Sequence, residues 1–121
     1  MSIICLVLIY FLARWDYNSD EWNCTRFDQR NLIEEWRGNH TGGVYVETRD
    51  ELLNLSMDEA SVLGIFTNSY VTWDHEVNET NNKPRLADMA VQAVRFLQKK
   101  AEDTGFFIMI EAGRIDQVSK E

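Results

Sequence analysis

Two uninterrupted apolar runs, Val62–Phe66 and Phe106–Ile110, stand on either side of the longest helical pattern in the chain. Continuous hydrophobicity of the kind seen in Phe106–Ile110 marks a strand buried on both faces, as in a parallel sheet covered by helices. Val62–Phe66 reads as another strand, with Gly64 permitting close packing. Between the runs, Pro84 occupies a natural first helical position, where its missing N–H would be unpaired anyway. Leu86, Met89, Ala90, Ala93, Val94 and Leu97 then recur at helical spacing. Lys99 and Lys100 bring positive charge to the C-terminal end, which the helix dipole favours. Gly105 closes the connector before the second run.

The upstream half repeats this alternation. Asp28 predicts the cap of a helix through Trp36, with Leu32, Ile33 and Trp36 on its apolar face and Gly38 at its end. The Thr41–Gly43 turn leads into a short strand, Val44–Glu47. Thr48 followed by Glu51 is a capping-box pattern that opens a helical turn carrying Leu52, Leu53 and Leu55. Ser56 with Glu59 repeats the device. Thr67–Lys83 is polar and Asn-rich, a surface excursion. Helix, strand, helix, strand, helix, strand is the grammar of an α/β fold, part of a mostly parallel central sheet flanked by helices. The expected organisation is a leader-like apolar segment and polar linker over 1–27, then a partial α/β domain over 28–121.

The chain has 121 residues, enough for one modest domain, and its 45% hydrophobic content is ordinary for a globular protein. A net charge of −8 with no basic patch argues against a nucleic-acid partner. Cys5 and Cys24 are too few for a disulfide framework and lack metal-finger spacing. Asn23, Asn39, Asn54 and Asn78 each begin a glycosylation sequon, which points to the secretory route and an extracellular or cell-surface location. Ile3–Ala13 has the length of a signal-peptide core and is too short for a membrane span. No Lys or Arg precedes it and no A-x-A site follows, so a leader and a buried strand both remain open.

The chemistry-bearing candidates lie at the end of the second run. Glu111 terminates Phe106–Ile110, a small-residue turn follows, and Asp116 arrives five positions later. Ligands gather beyond the carboxyl ends of parallel strands, so these two carboxylates can offer hard oxygen donors to one cation. Charged residues also commonly end strands without any such role. The chain shows no Gly-rich phosphate loop, GxSxG elbow or HExxH helix. His40 and His75 read as surface residues, and Trp36, Trp73 and the phenylalanines as packing groups.

RNLIEEW (Arg30–Trp36), YVETRDELLNL (Tyr45–Leu55), VLGIF (Val62–Phe66) and GFFIMIEAGRID (Gly105–Asp116) occur in the order and spacing of animal alkaline phosphatases. The chain resembles that family from about Asp28 to Asp116, with the last motif long and specific. The resemblance implies a large α/β fold that hydrolyses phosphate monoesters at alkaline pH, with two Zn²⁺ ions and one Mg²⁺ ion assisting a serine nucleophile. By motif position, Glu111 corresponds to the magnesium ligand and Asp116 to a ligand of one zinc. The serine, the phosphate-binding arginine and the first metal ligands would precede these residues, and further histidines would follow them.

Departures from the family pattern accompany the match. Lys120 stands where a zinc-binding histidine would be, and a protonated ammonium cannot replace an imidazole. Ala112 replaces a glycine. Many vertebrate members bind calcium through a Phe carbonyl, the adjacent Glu and an Asp before a Pro. Phe66 matches the first, whereas Thr67 and Lys83 replace the carboxylates. The expectation is a phosphate monoester hydrolase by family whose 121 residues alone are inactive. The alternative is a secreted, non-catalytic glycoprotein remnant of the same fold. In full-length relatives, homodimer contacts and a membrane anchor depend on other parts of the chain.

Overall fold

The computed structural model describes residue 28, residues 30–67, residue 77 and residues 80–112. Five elements follow one another: α1 (Leu32–Asn39), β1 (Gly43–Val46), α2 (Arg49–Leu53), β2 (Ser61–Gly64) and α3 (Leu86–Ala101). The two strands pair in parallel, Gly43 opposite Ser61 through Val46 opposite Gly64. An α/β architecture with a parallel sheet is therefore present. The expected leader over 1–27 lies outside the described residues.

Local chemistry sets the element boundaries. Asn31, rather than Asp28, caps α1, its Oδ1 accepting from Glu34 N at 3.2 Å. Asp28 instead accepts from Arg30 N at 3.2 Å, ahead of the helix. The helix runs through Gly38 to Asn39, and no residue of it is buried. Leu32, expected on its apolar face, is exposed. Thr48 caps α2 as the sequence implies: its hydroxyl accepts from Glu51 N at 3.2 Å while Glu51 Oε2 accepts from Thr48 N at 3.0 Å. The Ser56–Glu59 repeat does not form a helix. Ser56 Oγ accepts from Asp58 N at 3.2 Å, a tighter local turn.

α3 begins at Leu86, two residues after Pro84, which is fully buried ahead of it. Asp88 supplies the cap by accepting from Arg85 N at 3.1 Å. The buried stripe is Met89, Gln92, Ala93, Phe96 and Leu97, rotated from the expected one. Ala90 and Val94 lie at its flank, half-buried. Phe96, outside the expected stripe, is 1% exposed and is the largest fully buried side chain among the described residues. It clusters with Val46, Leu52, Val62, Phe66 and Met89. At about 1.5–3 kcal/mol per fully buried apolar side chain, this joint between sheet, α2 and α3 is the main source of order.

Gly64 stands against the Phe66 ring, which would have to shift to admit a side chain. A Cβ there would come within 2.7 Å of the Phe66 ring, which folds back over the end of β2. The second apolar run departs from expectation. Residues 105–110 form no strand, and Phe107 and Met109 are 63% and 70% exposed. A doubly buried strand needs a backbone ladder and cover on both faces. α3 already spends its apolar stripe on the core cluster, and no other described element lies over the run.

Candidate functional site

The site to be tested is the carboxyl end of the sheet together with the segment that follows α3. Tyr45, in β1, donates its hydroxyl proton to Glu47 Oε1, just beyond the strand, at 2.9 Å. Glu51 accepts from the backbone N–H groups of Glu47 at 2.8 Å and Thr48 at 3.0 Å. Those two backbone bonds hold its carboxyl below the usual glutamate range, because they favour the charged form.

Arg49 and Asp88 join α2 to α3. Arg49 Nε donates to Asp88 Oδ2 at 2.8 Å. That bond, ahead of the backbone bond from Arg85, keeps Asp88 below the usual aspartate range, with partial burial working against it. Arg49 is raised correspondingly, first by its bond to Asp88. Asn82, at φ 45°, completes the joint. Its carbonyl accepts from Arg49 N at 2.8 Å and its side-chain oxygen from Asp50 N at 3.1 Å. Two N–H groups at the start of α2 are thus satisfied by the loop that leads into α3. At the other end of α3, Lys99 donates to Asp58 at 2.5 Å, which lowers the Asp58 carboxyl.

These contacts bear on metal binding. Glu51, Asp58 and Asp88 are committed to backbone amides or cations of the protein itself. Glu111, by contrast, is exposed, and among the described residues no hydrogen bond or ion pair engages its carboxylate. It is a hard oxygen donor of the type magnesium takes. Among the described residues, no three His, Cys, Asp or Glu side chains are grouped to hold a metal ion. Glu111 therefore fits as one donor and does not make a site by itself. Asp116 and Lys120 lie outside the described residues. Phe66 is buried and Thr67 and Lys83 half-buried, so neutral and cationic side chains stand where the resemblance would need calcium-binding carboxylates.

The other sequence candidates are surface features. His40 follows α1, stacks on Trp36 with ring centroids 4.6 Å apart, and places Nδ1 2.8 Å from the Trp36 carbonyl oxygen. That is a local packing role for both residues. Asn39 and Asn54 are exposed at the ends of α1 and α2. Asn54 Nδ2 donates to Asp50 O at 2.9 Å. Asn23, Asn78, Cys5, Cys24, His75 and Trp73 lie outside the described residues. The Arg49–Asp88–Asn82 joint was not anticipated. Its one legible signal was an aspartate three residues after Arg85, at the start of the best helical pattern.

Comparison with known proteins decides the lineage. The sequence profile of the family described as alkaline phosphatase matches residues 10–121. The chain belongs to the alkaline phosphatase family. It is 33% identical over 99 residues to alkaline phosphatase 4 of Drosophila melanogaster, covering 78% of this chain and 16% of that protein. Against the membrane-bound alkaline phosphatase of Bombyx mori it is 36% identical over 96 residues, covering 75% and 17%. The tissue-nonspecific isozyme of Gallus gallus is 34% identical over 96 residues, covering 76% and 18%. The chain thus spans less than a fifth of the length of these alkaline phosphatases. The family is metal-dependent. Among the described residues, no helix is long and apolar enough to cross a membrane.

Proposed function

We propose that this chain supplies part of a metal-assisted phosphate monoester hydrolase, with Glu111 as a magnesium ligand and Asp116 as a ligand of one zinc. The observation that supports this reading is the match of residues 10–121 to the alkaline phosphatase family, which includes the GFFIMIEAGRID motif. The exposed carboxylate of Glu111, engaged by no described residue, is compatible with it. When bound, zinc acts as a Lewis acid toward a phosphoryl oxygen. The part these residues play is positional. The joined α2 and α3 give the segment after Ala101 a fixed point of departure, and that segment carries Glu111.

One magnesium ligand and one zinc ligand do not constitute a catalytic centre, and Lys120 stands in place of a third. The purified 121-residue chain is therefore expected to show no zinc-dependent hydrolysis of an aryl phosphate above the uncatalysed rate. Robust turnover that zinc restores after chelation would overturn the inactivity of the chain alone. Separately, installing the chain's Glu111–Asp116 segment in a full-length relative tests the ligand assignments: activity should survive the segment and be lost with Glu111→Gln.

The secretory location and the glycans belong to the same reading. Exposure of Asn39 and Asn54 supports their use as acceptors, and a membrane-bound relative fits a cell-surface setting. Asn39 should be the more completely modified of the two, because the Asn54 amide is held by Asp50 O at the end of α2. Expression through a secretory host, with glycosidase-sensitive mass shifts compared in Asn39→Gln and Asn54→Gln, measures both. Homodimerisation and anchoring would follow from other parts of a full-length relative.

A further inference from the structure

Trp36 and His40 form an aromatic pair at the end of α1, outside the core cluster. Their ring centroids are 4.6 Å apart and their planes 15° from parallel. His40 Nδ1 lies 2.8 Å from the Trp36 carbonyl oxygen. That oxygen only accepts, so Nδ1 carries the proton and the imidazole is fixed against the indole. Trp36 is half-buried, His40 is exposed, and α1 has no buried residue. Besides the Asn31 cap, the helix carries the surface ion pairs Arg30–Glu35 and Arg37–Glu34. Exposed pairs of that kind contribute little, so the aromatic surface is the feature of α1 with most to gain from cover.

The sequence specifies a covering group at the same place. Asn39-His40-Thr41 is a sequon whose acceptor is the last residue of α1. Helical residues three apart are neighbours, with about 5–6 Å between Cβ atoms, so Asn39 stands beside Trp36. A helical side chain also leans toward the N-terminus, which inclines Asn39 over the turn that holds Trp36. The Asn39 side chain is exposed and, among the described residues, no hydrogen bond engages it. A Cβ at the adjacent Gly38 would meet nothing within 4 Å, so the space beside the acceptor is open. A pyranose has the complementary chemistry. The C–H groups of one face meet the negative face of an aromatic ring, while the hydroxyls at its rim stay in water. Building on Asn39 as a glycan acceptor, we propose that its first N-acetylglucosamine packs on the Trp36–His40 pair and covers that side of α1. Asn54 has no such platform, since Asp50 and Glu51 stand four and three positions before it.

The test uses the 121-residue chain directed through a secretory host and trimmed by an endoglycosidase to a single N-acetylglucosamine per site. Peptide mass mapping reports whether Asn39 is occupied. In the folded chain, ring protons of the Asn39 sugar should shift upfield from their positions in the urea-unfolded chain, with Overhauser contacts to the indole or imidazole. His40→Ala keeps the sequon and Trp36→Leu keeps an apolar side chain. Each should move the sugar protons back toward their unfolded positions. An empty Asn39 would overturn the acceptor reading and the packing together. An occupied Asn39 whose sugar shows neither the shift nor the contacts would overturn the packing alone, as would an upfield shift unchanged in both variants. If a variant disturbs the fold, the wild-type spectrum alone still decides.

Discussion

The core joint around Phe96 and the run from Phe106 to Ile110 are both strongly apolar, yet one is buried and the other is not. Phe96 is 1% exposed, whereas Met109 is 70% exposed. The contrast comes from partners rather than from hydrophobicity. Phe96 sits on a helix whose backbone groups are satisfied within the helix, so its side chain needs only a surface to meet. The strands and α2 provide that surface. Residues 106–110 need neighbours for the backbone as well as for both faces, and the described elements offer neither. An apolar run thus specifies what a segment requires, and the rest of the fold decides whether it is met.

The largest expected effect separates the two regions. Phe96→Ala removes the most buried large side chain among the described residues and should cost about 3–5 kcal/mol, a large fraction of the roughly 5–15 kcal/mol that stabilises a typical domain. Met109→Ala should change stability by less than about 0.5 kcal/mol, as exposed substitutions generally do. Urea denaturation of the two variants gives the comparison. Similar losses in both would mean that the run is buried in solution and that the contrast between the regions is false.

That contrast also explains what could be read in the sequence. The capping box at Thr48, the β2 run and the helical period of α3 were legible because each depends on residues a few positions apart. Asn31 competed successfully with Asp28 for the cap of α1, a choice between two adequate side chains that spacing alone does not decide. The buried stripe of α3 is less legible because the polar Gln92 interrupts its apolar pattern, although 89, 92, 93, 96 and 97 share one face. Long-range contacts such as Arg49 with Asp88 have no local signature. For the candidate site, Glu111 and Asp116 are proposed from family motifs, and the described residues supply no further donors beside Glu111. The exposed Glu111 is where sequence identity and structural completeness part company.

A smaller effect is expected at the joint itself and depends on pH. Asp88 is held below its ordinary value, first by the bond from Arg49. Its contribution to stability is therefore present above the unfolded aspartate value of about 3.9 and is lost as pH falls through the lower folded value. Asp88→Asn should be less stable than the wild type at neutral pH, and the gap should close on acidification below about pH 4. Thermal melts of the two chains across that range measure it. A gap that is constant with pH would show that Asp88 acts through its neutral hydrogen-bonding geometry, with no part for its charge.

The smallest effect on folding stability should accompany a large effect on association. Phe106, Phe107, Met109 and Ile110 are exposed in succession, interrupted only by half-buried Ile108, and none carries charge. Such a stretch has high β-propensity and unpaired backbone, the combination that favours strand pairing between molecules. Phe107→Lys places a charge within the run without touching the core cluster. The variant should melt within about 0.5 kcal/mol of the wild-type chain. It should nevertheless remain monodisperse at concentrations where the wild type aggregates, because a charge repeated in every molecule opposes stacking of the run. Light scattering against concentration distinguishes the outcomes. Equal aggregation of both chains would place the sticky surface elsewhere, whereas a marked loss of stability in Phe107→Lys would show that the run makes a buried contact within the folded chain.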